Sequence, residues 1–389
     1  MTGATSTALG PRRLIAFYLP QYHPIPENDA WWGRGFTEWT NVTRAHPRFR
    51  GHYQPHLPAD LGFYDLRVPE VRALQAQLAA DHGIFGFCYY HYWFRGRRLL
   101  ERPFNEVLSS GEPDSPFCLC WANESWSRAW DGDEQSVLIR QQYSADDDRE
   151  HIRALFPAFE DDRYIRIDRK PVFLVYRASR LPDSRTTTET WREEAERHGL
   201  PGLYLARMEH SSEDRFDPVA DGFDAAVEFQ PAWTSLGRSD GRGRLRRFAT
   251  SLGLPQSVYE TNRIYSYENV VDRMLALPTA PYKRFPCVTP MWDNSPRRRD
   301  GAYIFHGSTP ELYERWLRTV LGRFRPPSSD ENLVFVNAWN EWAEGNHLEP
   351  DQRWGMAYLL ATKRAGAGLL ERSTPSRSAL VAEPEHTCG

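Results

Sequence analysis

The sequence predicts an α/β protein, a (β/α)8 TIM barrel with long loops after its strands. Eight short apolar runs alternate with segments of helical spacing between residues 14 and 371. Acidic, amide and aromatic residues follow the carboxyl end of nearly every run, which is where the active site of such a barrel opens. An open, doubly wound sheet is the main alternative, and the polar clusters at the strand ends favour the barrel.

The apolar runs have the length of buried strands. They cover residues 14–19, 84–93, 117–122, 171–176, 203–208, 225–230, 285–293 and 333–339. Helical spacing covers residues 65–82, 99–108, 146–159, 191–198, 265–277, 309–324 and 358–370. Pro286 and Pro290 interrupt the seventh run, which is unusual for a central strand.

The domain prediction is one catalytic domain over residues 14–371 with a loop insertion at about 232–280. That insertion contains a basic Gly/Arg stretch with some helical spacing. Residues 1–13 form a small, polar start, and residues 372–389 a Ser-, Pro- and charge-rich tail, both predicted to be disordered.

Composition excludes several classes of protein. The net charge is −4 and the pI about 6.3, so no overall field favours a nucleic acid. The sequence contains no run of 18 apolar residues, so no membrane span is predicted. The first 13 residues lack the apolar core of a secretory signal. Cys88, Cys118, Cys120 and Cys287 lie in apolar runs, which predicts buried free thiols and a cytoplasmic location.

The eighth apolar run leads into Asn340-Glu341-Trp342-Ala343-Glu344-Gly345. If a helical turn begins after Trp339, Glu341 and Glu344 point the same way. Two carboxyls on one side of a barrel mouth can divide acid and base roles at a glycosidic bond. A solvated helix start, where acidic residues are favoured, is the alternative for each Glu. These residues alone do not distinguish a nucleophile from a base.

The other candidates for substrate binding are aromatic, amide and acidic residues at strand ends, where rings can stack on sugars while polar groups bind hydroxyls. They are Tyr18, Gln21, Tyr22, Trp39, His52, Tyr90, His91, Tyr92, Trp121, Asn123, Glu124, Trp126, Glu228, Gln230, Trp292, Asp293, Asn340 and Trp342. For any single aromatic residue, simple core filling is the alternative. His91 fits equally a base, a sugar-binding donor or a core histidine.

No cofactor or metal site is predicted. The sequence contains no GxGxxG, GxxxxGK[ST] or GxSxG segment. His52 and His56 have the spacing of a helical metal pair, but Pro55 between them opposes the helix that this pairing needs. The Arg297-Arg298-Arg299 triplet is interpreted as a solvated loop.

Several motifs resemble known families. Asn340 to Gly345, followed by Leu348-Glu349-Pro350, resembles the catalytic signature of glycoside hydrolase family 99, the retaining endo-α-mannosidases. Residues 17–23, 35–41 and 52–55 (FYLPQYH, GFTEWTN and HYQP) resemble WbsX-type proteins of bacterial surface-polysaccharide gene clusters, which are classed as family-99-like. The likeness extends over roughly residues 14–370.

The resemblance implies a (β/α)8 barrel in which Glu344 is the general acid. Glu341 would be the base that deprotonates the sugar 2-hydroxyl and so gives a 1,2-anhydro intermediate. The implied function is a retaining glycosidase or transglycosidase, of endo-α-mannosidase-like type, acting on a cell-surface polysaccharide or its precursor. A glycosyltransferase of lipopolysaccharide, O-antigen or other polysaccharide biosynthesis is the first alternative, and an inactive carbohydrate-binding protein the second. The expected partner is an oligosaccharide or polysaccharide; oligomeric state stays open.

Overall fold

The computed structural model describes residues 12–128, 133–211, 213–240 and 257–373. Eight parallel strands form its central sheet: β1 Arg13–Tyr18, β2 Ile84–Phe94, β3 Phe117–Trp121, β4 Lys170–Val175, β5 Tyr204–Glu209, β6 Ala225–Glu228, β7 in two pieces, Arg284–Phe285 and Cys287–Val288, and β8 Leu333–Val336. Each strand pairs with its neighbours in chain order, and β1 also pairs with β8. The prediction of a (β/α)8 barrel is therefore confirmed.

Pro286 divides β7 and so determines how the barrel closes. Its first piece pairs with β6 and its second with β8. Proline has no N–H to donate to a neighbouring strand, but the Pro286 carbonyl still accepts a bond from the Phe335 amide at 2.8 Å. The interruption seen in the sequence is thus a real break inside a closed sheet.

The helices that surround the barrel or extend its loops are α1 Pro26–Trp32, α2 Glu38–Arg44, α3 Pro69–Asp81, α4 Arg102–Ser110, α5 Ala145–Ala154, α6 Phe156–Glu160, α7 Ser184–His198, α8 Val258–Thr261, α9 Tyr267–Leu275, α10 Pro310–Arg323 and α11 Ala357–Ser373. Between β5 and β6 the described residues form a 3-10 turn at Pro218–Asp221 instead of a helix.

Three helices differ from the sequence prediction for local reasons. α3 begins at Pro69, because proline disfavours helical geometry at the preceding residue, and Val68 is extended. The segment 146–159 divides at Leu155, where Pro157 occupies the first turn of a new helix. α7 begins before the predicted Trp191, because the Asp183 side chain caps it by accepting from the Thr186 amide.

The core fills the barrel and the space between its strands and helices. Trp121, Trp191, Trp316, Trp339 and Trp342 are all fully buried. At Gly86 an added Cβ would lie 2.2 Å from the Pro116 carbonyl oxygen, so the approach of these two segments requires glycine there. The four cysteines predicted to be buried free thiols are so in the structure.

The long connection between β6 and β7 contains α8, α9 and the strand Arg263–Ser266, which pairs in parallel with Tyr303–His306. Of the predicted insertion, residues 241–256 lie outside the described residues, as do residues 1–11 of the predicted start and 374–389 of the predicted tail. Within the part of the chain that the structure describes, no helix combines the length and apolar character needed to cross a bilayer.

Candidate active site

The Glu pair lies on a tight turn after β8. Asn340–Glu341 pairs antiparallel with Asn346–His347, and Trp342–Glu344 between them forms one 3-10 turn. Side chains three residues apart eclipse in this geometry. Glu341 and Glu344 therefore lie on one side of the turn, as predicted, although the turn is 3-10 and does not continue as a helix.

Contacts with two loops hold this turn in place at the barrel mouth. The Asn340 side chain accepts from the Leu19 amide at 2.7 Å and donates to the Leu19 carbonyl at 3.0 Å. Gly345 has φ +52°, and an added Cβ would lie 2.9 Å from the Asp293 Cβ. The Asp293 amide also donates to the Glu344 carbonyl at 2.6 Å. The turn is thus attached to the loops after β1 and β7.

Arg297 joins three carboxylates at the base of the site. Its Nη2 lies 3.2 Å from Glu341 Oε2, its Nη1 2.8 Å from Glu344 Oε1 and its Nε 3.1 Å from Glu38 Oε2. The side chains of Arg297 and Glu38 are 11% and 0% exposed. One guanidinium therefore brings Glu341 and Glu344 to the same place, and the prediction that Arg297 belongs to a solvated loop is wrong.

The balance of charges keeps a proton in this cluster. Burial raises the pKa of Glu341 to about 8, with Glu344 and Glu38 adding to the rise and Arg297 opposing it. Burial also raises the pKa of Glu344, again against Arg297. Three carboxylates around one guanidinium cannot all be ionised at low cost. Near neutral pH the pair Glu341 and Glu344 therefore retains a proton.

The cluster opens into a cavity of about 600 Å³ at the carboxyl end of the barrel. Its walls combine aromatic rings with guanidinium, amide and carboxyl groups. The lining includes Gln21, Asn28, Trp31, Trp32, Tyr90, Tyr92, Glu124, Trp126, Tyr176, Arg177, Arg180, Phe229, Arg297, Arg298, Asn337, Glu341 and Glu344. Of the predicted site residues, the cavity brings together Gln21, Tyr90, Tyr92, Glu124, Trp126 and the Glu pair.

Two side-chain amides face this cavity with polar atoms that no other described group binds. Asn28 is 0% exposed, and both its amide nitrogen and its oxygen lack a hydrogen-bond partner. Gln21 is 4% exposed, and its Nε2 lacks one. Buried polar atoms of this kind are costly unless a ligand satisfies them. Since these atoms have almost no exposed surface, a water or ligand group in the cavity could reach them only after the wall shifts.

Three predicted binding residues, Tyr18, Tyr22 and Trp39, lie behind the turn instead, and two more, Asn340 and Trp342, belong to the turn itself. Tyr22 accepts from the Trp342 amide and donates to the Asn340 carbonyl, and Trp39 packs against Trp342 with ring centroids 5.6 Å apart. Tyr18 donates to Gln75 at 2.7 Å. These side chains support the turn from the barrel side, and they do not line the cavity.

Asp293, His52 and Trp292 form a second supporting group. Asp293 Oδ2 accepts from Gln54 at 2.7 Å and lies 2.6 Å from His52 Nε2. These bonds lower the pKa of Asp293 despite its burial. All three side chains border a separate small cavity of about 80 Å³. His52 and Asp293, each predicted separately as a binding residue, thus contact each other beside the site.

The remaining predicted residues contact other groups of the protein and do not line the large cavity. His91 contacts His151, with 3.0 Å between their Nε2 atoms, and Trp121 is fully buried. Asn123 accepts from the Arg177 amide at 2.7 Å and shapes the loop after β3. Glu228 lies 3.7 Å from Arg284, and the Gln230 carbonyl accepts from the Asn337 side chain at 2.8 Å.

Sequence reasoning did not name several residues that form the site, above all Arg297, Glu38 and Asn28. The loop that holds Trp31 and Glu38 stood out by its aromatic and polar content, but its composition did not show which side chain faces inward. Arg297 carried a misleading signal, because a basic triplet is normally solvated. Only its contacts across 259 positions to Glu38 and 44 to Glu341 reveal its role.

Outside the cavity, one group of three side chains among the described residues is close enough to bind a cation. His56, His347 and Asp351 are buried, with one ligand atom from each within 4.8 Å of the others. They lie behind the turn that carries the Glu pair.

Two solved structures share this (β/α)8 architecture. A structure described as a glycoside hydrolase-like protein aligns with a TM-score of 0.55 and 13% identity over 94% of this chain and 96% of its own. The GH99 endo-alpha-mannosidase from Bacteroides thetaiotaomicron aligns with a TM-score of 0.55 and 12% identity over 92% of this chain and 98% of its own. At this identity the likeness concerns the fold.

The chain belongs to the WbsX family, described as glycosyltransferase WbsX, whose model matches residues 14–362. It is 45% identical over 356 residues to the uncharacterized protein WxcX of Xanthomonas campestris pv. campestris strain B100. That match covers 91% of this chain and 50% of WxcX, so the chain spans about half the length of this relative. WxcX of strain ATCC 33913 matches to the same extent.

Proposed function

We propose that this protein is a carbohydrate-active enzyme that acts on glycosidic bonds of a cell-surface polysaccharide or its precursor. In this proposal it is a retaining glycosidase or transglycosidase of endo-α-mannosidase-like type, and Glu341 and Glu344 carry the reaction. The observation that supports it most is the pair of carboxylates bound to one Arg297 at the base of an aromatic cavity.

The cavity has the chemistry that a saccharide requires. Trp31, Trp126, Tyr90 and Tyr92 offer flat apolar faces for sugar rings. The partly exposed side chains of Glu124 and Arg177 on the same wall offer an acceptor and donors for ring hydroxyls. A volume of about 600 Å³ accommodates more than one ring, within the usual range for ligand pockets.

The roles of the two carboxyls follow from where the proton is needed. With Glu344 as acid and Glu341 as base, the proton that the pair retains must lie on Glu344 when the substrate is bound. Arg297 supports this division of roles, since it contacts both carboxylates. A sugar 2-hydroxyl near Glu341 and a leaving oxygen near Glu344 would complete the arrangement.

A glycosyltransferase is the second candidate, and the arginines of the cavity favour it. Arg177, Arg180, Arg297 and Arg298 all line the wall. Guanidinium groups bind phosphate oxygens in paired geometry, so a phosphate-linked sugar donor would find complementary charge there. The same arginines also suit an acidic polysaccharide, so they do not by themselves indicate a phosphate-linked donor. The hydrolase or transglycosidase proposal therefore keeps precedence.

The function is tested by incubating the protein separately with surface-polysaccharide oligosaccharides and with nucleotide-sugar or lipid-diphosphate-sugar donors. Shortened or rearranged oligosaccharides without a donor support the proposal. Elongation that depends on the donor supports the glycosyltransferase. Binding without turnover, measured by calorimetry, would replace both with a carbohydrate-binding protein. Double substitution of Glu341 and Glu344 by Gln is the control for contaminating activity.

A further inference from the structure

Two buried histidines face each other behind the catalytic turn. His56 Nδ1 and His347 Nε2 are 2.9 Å apart, and both residues are at most 5% exposed. The other nitrogen of each ring lies close to a backbone carbonyl oxygen: His56 Nε2 is 3.1 Å from that of Tyr53, and His347 Nδ1 is 2.9 Å from that of Glu349. A carbonyl oxygen only accepts, so each of these outer nitrogens carries the hydrogen.

The tautomers that follow leave a conflict between the rings. In a neutral imidazole one nitrogen donates and the other accepts. With both hydrogens on the outer nitrogens, His56 Nδ1 and His347 Nε2 present lone pairs to each other. Lone pairs at this distance repel, and a positive species must lie between them or beside them.

The third member of the group indicates which species that is. Asp351 is 2% exposed, and its Oδ2 has no hydrogen-bond partner but lies 3.9 Å from His347 Nε2. Its Oδ1 is held in place by the Arg353 and Trp354 amides at 3.0 and 2.6 Å. A proton shared by the two rings would leave Asp351 Oδ2 with only the buried Tyr53 hydroxyl beside it as a donor. A metal cation satisfies all three atoms.

We propose that His56 Nδ1, His347 Nε2 and Asp351 Oδ2 bind a divalent transition metal, with zinc the best match. Two imidazoles and one carboxylate are donors that Zn²⁺ accepts, whereas Mg²⁺ and Ca²⁺ prefer oxygen alone. Tetrahedral Zn–N bonds of about 2.0–2.1 Å place two nitrogens roughly 3.3 Å apart. The rings therefore separate by a few tenths of an ångström when the ion binds. The carbonyl contacts of both outer nitrogens orient the rings as second-shell partners do in zinc sites.

The position of this metal site gives it a structural role. His347 pairs with Asn340 across the short sheet of the turn, and its ring stacks on Trp342 at 3.8 Å. His56 belongs to the long loop after β1. A bound ion would thus connect that loop to the turn that carries Glu341 and Glu344 from the side opposite the substrate cavity.

A second histidine pair in the same protein provides a matched control. His91 Nε2 and His151 Nε2 are 3.0 Å apart and equally buried. There, however, His151 Nδ1 has no hydrogen-bond partner, so nothing prevents this ring from carrying its hydrogen on Nε2 and donating it to His91. That pair needs no cation, and among the described residues no carboxylate joins it within the distances of the first group.

The test is a titration of the chelator-treated full-length protein with Zn²⁺, followed by metal analysis, together with Co²⁺ substitution read by visible absorption. Wild type should bind one ion with histidine coordination. Asp351→Asn keeps the Arg353 and Trp354 contacts through its carbonyl oxygen and should bind at least tenfold more weakly. His56→Gln should do the same, and His91→Gln should bind like wild type. If wild type binds no ion, or if Asp351→Asn and His56→Gln bind it as tightly as wild type, the site does not exist as proposed.

Discussion

The pair Glu341 and Glu344 lies on one side of the turn after β8, and the single carboxyl of Glu349 lies on the other. All three have raised pKa values. Glu341 and Glu344 share Arg297 and open into the large cavity. Glu349 accepts from the Tyr64 hydroxyl at 2.7 Å and from Trp342 Nε1 and Gln75 Nε2 at 2.6 Å each, and it borders none of the described cavities. Burial raises its pKa to about 7.

Under the proposed function, the difference between the Glu pair and Glu349 indicates that a raised pKa alone does not define a catalytic site. Glu349 has fixed neutral donors around it, and it connects Tyr64, Gln75 and Trp342 behind the turn. The Glu pair shares one cation, Arg297, and both carboxyls open into a cavity. Access and an incomplete charge balance separate a reactive group from a structural one.

The strongest test of the reactive side is Glu344→Gln. If Glu344 is the general acid, this substitution should reduce turnover of a natural oligosaccharide by on the order of a hundredfold or more. A substrate with a good leaving group, such as an aryl glycoside, needs no acid and should recover much of the rate. Substrate affinity measured by calorimetry should change little. Unchanged turnover would remove Glu344 from the acid role.

Glu341→Gln should reduce turnover by a similar factor, but the aryl glycoside should not restore it, because the base is needed for either leaving group. Recovery in this variant, with none in Glu344→Gln, would reverse the two roles.

The Glu341→Gln substitution should also change how stability depends on pH. Since the folded pKa of Glu341 is about 8, above its unfolded value of about 4.3, wild type loses stability as pH rises through that window. Glu341→Gln should show a flatter profile of unfolding midpoint against pH.

Arg297→Met should lower turnover by about tenfold or more and shift its pH dependence. Loss of the guanidinium removes the group that favours the ionised carboxylates, so the pKa values of Glu341 and Glu344 rise further. The limb of the pH–rate profile that reports the base should therefore move to higher pH. Arg299→Met, an exposed arginine two positions away, is the matched control. A profile that coincides with wild type would show that Arg297 does not tune the pair.

Glu349→Gln should have the smallest effect on turnover and its main effect on stability. An amide cannot accept all three bonds, so a loss of about 1–3 kcal/mol in the free energy of unfolding is expected. The raised pKa of Glu349, about 7, means that its ionisation costs wild-type stability as pH rises from about 4.3 to 7. The penalty of the substitution should thus be larger at pH 5 than at pH 8 in denaturant titrations. A hundredfold loss of turnover in a stably folded variant would place Glu349 in the reaction.

Prediction from sequence was most successful where the signal is local. Apolar runs of strand length located all eight strands, since a strand buried on both faces must be apolar throughout. The family motifs are also contiguous in sequence, and they named the Glu pair directly. Helix starts were less accurate at Pro69 and Asp183, where a proline or a cap and not the apolar spacing determines the first turn.

The candidate site was only partly predictable for the opposite reason. Residues at strand ends converge on one barrel mouth, but whether each side chain faces the cavity or the packing behind it depends on neighbours distant in sequence. Tyr90 and Tyr92 face the cavity, and Tyr18 and Tyr22 do not.

The sequence by itself thus determined the strand count, the barrel class, the family and the pair of carboxyls, because each depends on residues close together in the chain. The tertiary structure decided that Arg297 joins Glu38, Glu341 and Glu344. It also decided that His56 meets His347, 291 positions away. Charge compensation and contacts between side chains act through space over a few ångströms, and only the folded chain brings such residues within that range.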